Sequence, residues 1–535
     1  MALGAVYLTK PLVAYTPPFS YNSASICNYS RLANDNWFKA LGSACGSETK
    51  VYELIVPSTM VDSNGNLYCI TADWFSTYFG GRSYYVIRIN PSGRQYVPSY
   101  YIAGYIGSNY NWPFNRTPTP SANDVTQKYF IERSWMGLTP CVAREGNGSS
   151  DYVYCFMYVL PARWWNDSSG GDTEGLLLWK VRKSDGGITD SKFLPYGTYS
   201  EELAMGHFPK WYGNNNKLAF SAYHDVNGGK VYCLWLSSSN DYLKMRTLTF
   251  NTSQNTWAGC STFYHNNADN TEADYRSYSL EPRIIRGTSA IYPLVVRNGY
   301  YPYIHILGTD TWYRSFNGTR LHSSYYNCKE CSYHTDFAIV KASDNTEVFV
   351  VLMFSDVDQL KEMNKTSGGP AHWTTSYVPW GTTQIMLHVQ SLVLGKEWVS
   401  GPENVIYVTT INRNSASPSW TLSTSTLYKC THKLVAYNHY IIYAYCYPGK
   451  KTHLILGVAR YSIDSNDSNK GVYLSTKREF TDQNGDSFGN LTNCSRIVSM
   501  EVSANGHLWI TWMSADDKTY YYFHANAQDV IDQAI

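Results

Sequence analysis

Two stretches of the chain hold residue types that could do chemistry. The densest ionisable segment runs Glu272-Ala-Asp-Tyr-Arg-Ser-Tyr-Ser-Leu-Glu-Pro-Arg-Ile-Ile-Arg286. Glycoside hydrolysis of the sialidase type needs a tyrosine nucleophile, a glutamate and an arginine cluster. Tyr275, Glu281, Arg283 and Arg286 supply those types. Neighbouring residues of a strand point to opposite faces, so one strand cannot bring all four together. No Ser-x-Asp-x-Gly-x-x-Trp box accompanies them, and a solvated loop with ion pairs is the competing reading. The second stretch holds His322, Cys328, Cys331 and His334. These are zinc-ligand types, with Cys-x2-Cys a common half-site. The histidine spacing is not that of a familiar finger and no second Cys-x2-Cys exists, so disulfides or reduced thiols compete with a metal. P-loop, dinucleotide, Gly-x-Ser-x-Gly and His-Glu-x-x-His signatures are missing. We therefore expect no cofactor and no metal.

A third set of residues suits binding. Tyr and Trp join large apolar area to a polar edge, and the chain has 48 Tyr and 17 Trp. Trp112, Trp164, Trp165, Trp373 and Trp380 fall in Gly/Asn/Ser/Pro-rich insertions, where an aromatic has less reason to be core. They are the candidate ligand contacts, against the alternative that each packs locally.

Twelve cysteines include two pairs at telling positions. Cys141 and Cys155 are equidistant from Gly148, and Cys430 and Cys446 from Asn438. Residues equidistant from a hairpin turn face each other about 4.5–5.5 Å apart. This predicts two cross-strand disulfides, or two facing thiol pairs; small buried hydrophobes are the alternative. Asn-x-Ser/Thr sequons stand at Asn28, Asn115, Asn147, Asn166, Asn251, Asn317, Asn364, Asn466, Asn490 and Asn493. Chance supplies many of these in so Asn-, Ser- and Thr-rich a chain.

The elements that must position these residues are strands. An Asn/Gly/Asp turn recurs seven times between apolar or aromatic runs, around Asn64, Asn147, Asn227, Asn298, Asn345, Asn438 and Asn505. Asn-Gly between such runs is the strongest short-range hairpin signal, because the turn needs positive φ. Further strand patterns follow at 85–90, 176–181, 245–250, 385–393 and 454–461, and several repeats then carry a Trp in a polar turn (Trp257, Trp312, Trp398). A unit of about 74 residues repeated seven times predicts an all-β, seven-bladed β-propeller with loop insertions. Those insertions are 104–124, 162–173, 262–280 and 365–382. The expectation is a single domain over 1–535, closed by an N-terminal strand within 1–16 and ending in a short helix or tail at 525–535. Residues 356–363 are a second helix candidate.

Formal net charge is +1, from 43 basic and 42 acidic residues, which gives no electrostatic footprint for nucleic acid or an anionic membrane. No run of about 18 apolar residues predicts a membrane span. The first residues lack a secretory signal, which fits either a processed chain or one made in the cytosol.

The repeat resembles β-propellers over nearly the whole chain. Its outer-strand Trp residues resemble those of kelch blades, although that family's double glycine is not in register here. Size, cysteine content and sequon density are similar to viral attachment propellers, and the missing signal segment fits tail proteins of bacterial viruses. No catalytic or receptor motif aligns, so no residue is carried over. The resemblance implies a non-enzymatic surface or virion protein that recognises a ligand, with glycan or a surface receptor as partner. A sialidase-like glycoside hydrolase is one alternative. The other is a structural part of a virus tail or surface layer that contacts only sister subunits. An extracellular or virion-surface location goes with the first reading.

Overall fold

A computed structural model describes residues 12–13, 19–28, 58–74, 82–92, 99–103, 141–159, 175–186, 188–195, 220–239, 242–264, 283–286, 291–296, 302–305, 312–314, 335–341, 347–356, 384–393, 406–412, 432–446, 454–463, 472–481, 494–514 and 519–534. Two short strands come first, β1 (Leu12–Val13) and β2 (Tyr21–Asn28). The next thirteen strands make three sheets. These are β3 (Ser58–Val61), β4 (Leu67–Trp74), β5 (Arg82–Ile89) and β6 (Ser99–Ala103), followed by β7 (Cys141–Val142), β8 (Arg144–Gly146), β9 (Tyr152–Val159), β10 (Gly175–Arg182) and β11 (Ile188–Pro195). The third sheet has β12 (Phe220–Asp225), β13 (Lys230–Ser239), β14 (Tyr242–Asn251) and β15 (Thr256–Tyr264).

The later strands make four more sheets among the described residues. They are β16 (Arg283–Arg286), β17 (Ile291–Val296), β18 (Pro302–His305) and β19 (Trp312–Arg314), then β20 (Thr335–Lys341), β21 (Glu347–Asp356), β22 (Gln384–Val393) and β23 (Ile406–Asn412). After these come β24 (His432–Tyr437), β25 (Tyr440–Cys446), β26 (Leu454–Ile463) and β27 (Val472–Thr481), and finally β28 (Cys494–Val502), β29 (His507–Ser514) and β30 (Thr519–Asn526), with a helix α1 (Ala527–Ala534). Each sheet is built on an antiparallel meander of consecutive strands, to which β1, β2 and β8 add as edge strands beside β27, β30 and β12, β1 and β8 in parallel. The chain divides into two compact units, one of residues 26–284 and one of 1–25 with 285–535.

Tight turns explain the meanders. At 62–66 and 503–506 the chain makes the same turn twice. Gly65 N–H donates to the Asp62 carbonyl and Gly506 N–H to the Ser503 carbonyl, both at 3.0 Å. Gly65 has φ 80° and Gly506 φ 82°, conformations a side chain disfavours. The Asp62 carboxylate and the Ser503 hydroxyl each accept a backbone N–H four residues on, from Asn66 at 2.9 Å and His507 at 3.0 Å. Strand interiors then bury every second residue or more, as in β25, where Ile441, Ile442, Tyr443, Ala444 and Tyr445 are all buried. That run is fully apolar or aromatic because both its faces are covered.

In six sheets the predicted Asn/Gly/Asp turn joins the first strand to the second. In the β16–β19 sheet it joins the second to the third, since β17 ends at Val296 and pairs with β18 across 297–301. The extra strand is Arg283–Arg286, which the repeat pattern did not mark. The N-terminal strand beside the last meander is β2, next to β30. The strand at the edge of that meander is thus residues 21–28 and not one within 1–16, where Leu12 and Val13 run parallel to Phe480 and Thr481 of β27. The C-terminal helix expected over 525–535 is α1, which buries Ala527, Val530, Ile531 and Ala534. Of the candidate helix 356–363, only Asp356 is among the described residues, and it ends β21.

Within each unit the first strands of successive sheets lie against one another. In residues 26–284, β3 lies beside β7, and β7 and β8 beside β12; β8 and β12 pair in parallel. In the other unit β20 lies beside β24 and β24 beside β28. A core of Ile442, Leu454, Leu456, Met500, Ile510 and Trp512, among others, fills the space between the last two sheets and under α1.

Candidate functional site

Three first strands of the 26–284 unit end on one buried charge cluster. Asp62, just past β3, is held by its turn: Oδ1 accepts from the Asn64 and Asn66 N–H groups at 2.9 Å, and Oδ2 from Asn66 Nδ2 at 3.1 Å and the Tyr68 hydroxyl at 3.3 Å. Lys183 follows β10. Its carbonyl accepts from Arg88 Nη1 at 3.0 Å, and its Nζ lies 5.6 Å over the Tyr68 ring. That Nζ reaches Glu145 Oε2 of β8 at 2.5 Å and Asp62 Oδ2 at 4.0 Å. The lysine side chain is 11% exposed and each carboxylate 2%. The second Glu145 oxygen accepts from Ser150 N–H at 2.9 Å. His224 of β12 sits opposite Glu145 in the parallel ladder and meets the Tyr154 ring edge-on at 4.8 Å.

Burial sets the electrostatics. It raises the Glu145 carboxyl above its ordinary range, and the Lys183 charge only partly offsets this. It lowers the His224 imidazole to about 4, helped by Lys183 and opposed by Asp225. His224 is therefore neutral near pH 7. Both carboxylates and the lysine are spent on one another and on turn N–H groups, so the cluster is a joint between three sheets. Among the described residues no group of histidines, cysteines and carboxylates is placed to hold a metal ion.

The other unit uses shorter links of the same kind. Asp336 of β20, 2% exposed, accepts from the Leu434 N–H of β24 at 2.7 Å, and His439 Nδ1 lies 2.9 Å from the Lys341 carbonyl. His507 and His524 stack with Nδ1 and Nε2 3.2 Å apart, under Trp509. Burial, then the His507 charge, lowers His524 to about 4.

These joints fix an edge. Asp62, Glu145 and His224 all lie at the C-terminal ends of first strands, so the three first-to-second turns share one edge of their sheets. In an antiparallel meander the second-to-third and sheet-to-sheet connections must then share the opposite edge. The first-to-second edge has 62–66, 147–151, 183–187, 226–229 and 252–255, all brief, and the longer 90–98. The opposite edge has 104–140, 160–174, 196–219 and 265–282, with the shorter 75–81 and 240–241. In the second unit His439 likewise meets the end of β20 and the Tyr437 ring approaches Gly506. There the first-to-second edge has 342–346, 438–439 and 503–506 together with the longer 394–405 and 464–471, and the opposite edge has 315–334, 357–383 and 413–431 together with the shorter 447–453 and 515–518.

Trp112, Trp164, Trp165, Tyr275, Glu281, Trp373, Trp380, His322, Cys328, Cys331 and His334 lie outside the described residues. Arg283 and Arg286 are the end residues of β16. What sequence reading missed is the Asp62–Lys183–Glu145 joint, whose members lie in three separate segments; the one available signal was that Asp62 and Glu145 each stand in a repeated turn motif.

The cysteine pairing needs correcting. The ladder sets Cys141 opposite Phe156 and Val142 opposite Cys155, one residue off the expected register. The hairpin is centred between Gly148 and Ser149, so the two cysteines point to opposite faces. Both are buried free thiols. Burial pushes Cys141 up to about 12 and Cys155 well above the ordinary thiol range, which keeps both protonated and unreactive. The sixth hairpin is likewise centred between Asn438 and His439, as the Tyr437–Tyr440 pair shows. Cys446 ends β25, and Cys430 lies outside the described residues.

No known protein family matches the chain, and no curated protein does. Among solved structures it is similar to the polysaccharide lyase Uly1, at TM-score 0.41 and 9% identity over 88% of this chain and 89% of that one. It is also similar to Trypanosoma rangeli sialidase in complex with the inhibitor DANA, at 0.30 and 10% over 78% and 54%. A third is the Aleuria aurantia lectin in complex with Fucalpha1-6GlcNAc, at 0.32 and 9% over 79% and 96%. Likeness of this size decides neither the ring of the fold nor a ligand.

Proposed function

We propose that the chain is a seven-bladed β-propeller, a single domain over its whole length, that recognises a ligand on the long-connection edge of its sheets, with glycan the favoured class. The observation that carries this is the joint of Asp62, Lys183, Glu145 and His224, which ties three first strands end to end. It sets the brief first-to-second turns on one edge, while the longest connections, rich in Trp, Tyr, Gly and Asn, leave from the other. Stacked first strands with outer strands behind them are what blades around an axis require. Trp on a loop edge offers a flat apolar face to a sugar ring and an N–H to its hydroxyls. The work of such a scaffold sits in its loops. An extracellular or virion-surface setting, with a glycan or surface receptor as partner, accords with this reading.

The test is a glycan array probed with the intact protein and with a Trp164→Ala/Trp165→Ala variant of unchanged urea midpoint. The expected result is a glycan signal that the variant loses; an equal signal from both removes this loop from the site, and none from either defeats glycan recognition. A glycosidase reading draws on Tyr275, Glu281, Arg283 and Arg286. Turnover of a reporter glycoside that a Tyr275→Phe/Glu281→Gln variant loses would favour it.

A further inference from the structure

The parallel junction of β8 with β12 contains two Asn-Gly pairs, and one of them is held differently from the rest. Val226 N–H donates to the Gly146 carbonyl and Asn227 N–H to the Asn147 carbonyl, both at 3.1 Å. Asn147 Nδ2 donates to Asp225 Oδ1 at 2.8 Å, and Asn147 Oδ1 accepts from Asn227 Nδ2 at 3.3 Å. Asn147 has φ 58°, and both it and Gly148 are exposed. Among the described residues no hydrogen bond holds the Gly148 N–H. The contrast with the other described Asn-Gly turns is sharp. After Asn64 and Asn505 the glycines are buried and their N–H groups donate to turn carbonyls at 3.0 Å. After Asn227 the Gly228 N–H donates to Asp225 Oδ1 at 3.3 Å.

We propose that Asn147 is a site of spontaneous deamidation that turns over ahead of Asn64, Asn227 and Asn505. Hydroxide removes the proton from the Gly148 amide, which no acceptor among the described residues retains. That nitrogen attacks Cγ of Asn147, and no Cβ on residue 148 obstructs the approach. The N–Cγ bond forms, the Cγ–Nδ2 bond breaks, and Nδ2 leaves as ammonia after taking a proton from water. Asn227 Nδ2 polarises the carbonyl under attack. Water then opens the succinimide at either carbonyl, giving aspartate or isoaspartate. The product carboxylate faces Asp225, where the amide was a donor, so a hydrogen bond between two sheets becomes a like-charge contact. The same Nδ2 is the atom a glycan would occupy in the Asn147-Gly-Ser sequon, and it is already committed to Asp225.

The experiment ages the folded full chain at mildly alkaline pH, digests it, and ranks aspartate and isoaspartate at the four asparagines by mass spectrometry. A parallel sample is aged in concentrated urea. Residue 147 is expected to convert several-fold faster than 64, 227 and 505 in the folded protein, with the difference gone in urea. Equal or faster conversion at 64, 227 or 505, or the same ranking in urea, overturns the proposal. For the consequence, an Asn147→Asp variant should unfold at lower urea, and adding Asp225→Asn should restore the midpoint. An unchanged midpoint overturns that step.

Discussion

Lys183 shows how much one side chain can decide. Its ammonium neutralises Glu145 at 2.5 Å and approaches Asp62 at 4.0 Å, with all three side chains nearly sealed from water. Removing one partner of a buried pair leaves an uncompensated charge and costs about 3–5 kcal/mol. Lys183→Met is therefore expected to lower stability by that amount in urea unfolding. Lys183→Met with Glu145→Gln should recover part of it, because a neutral amide needs no counter-charge; a single variant within the error of wild type would refute the joint. None of this was legible beforehand. The joint depends on three segments meeting, and nothing in the residues around 183 marks a lysine as buried. The register of Cys141 was illegible for a related reason. Whether a hairpin centres on a residue or between two is settled by turn geometry, and a shift of one residue reverses the face.

At the scale of elements the sequence was more readable. Positive φ is a local demand with few chemical solutions, so Asn-Gly and Asp-x-Asn-Gly turns announced their hairpins. Apolar runs such as Leu454-Ile-Leu announced the strands between them. The exception is instructive: β16 precedes its sheet's marked turn by a whole strand, because Arg283-Ile-Ile-Arg286 is too short to stand out. Close packing of the strands then excludes side chains at chosen points. Gly146 of β8 lies where a Cβ would run into the Tyr223 ring and hydroxyl of β12. Overpacking of this kind costs about 1–3 kcal/mol. Gly146→Ala should lower the unfolding midpoint accordingly, and Tyr223→Phe in that background should relieve some of the loss by removing the nearest atom. A neutral Gly146→Ala would mean that β8 and β12 do not approach so closely in solution.

For the whole molecule, stability depends on buried groups whose charge changes with pH. His224, facing Lys183, Asp225 and Lys180, and His524, facing His507, are both lowered to about 4 by burial. An unfolded chain would protonate each near 6.5. Between those values the unfolded state binds more protons, so stability present above pH 6.5 is lost as pH falls towards 4. Glu145 works in the opposite sense. Its folded carboxyl takes up a proton at higher pH than the unfolded one, so acidification relieves a cost that burial imposes. Among the described residues two histidines stand against one carboxyl, and the urea midpoint is expected to fall steadily between pH 6.5 and 4. A His524→Gln variant, whose amide does not titrate, should show a shallower slope over the same range while keeping the contribution of His224. A midpoint that stays level across that window in the wild-type protein would show that neither imidazole is held neutral, and with it that both sites are wetter than the packing of Tyr154, Trp509 and the two histidines implies.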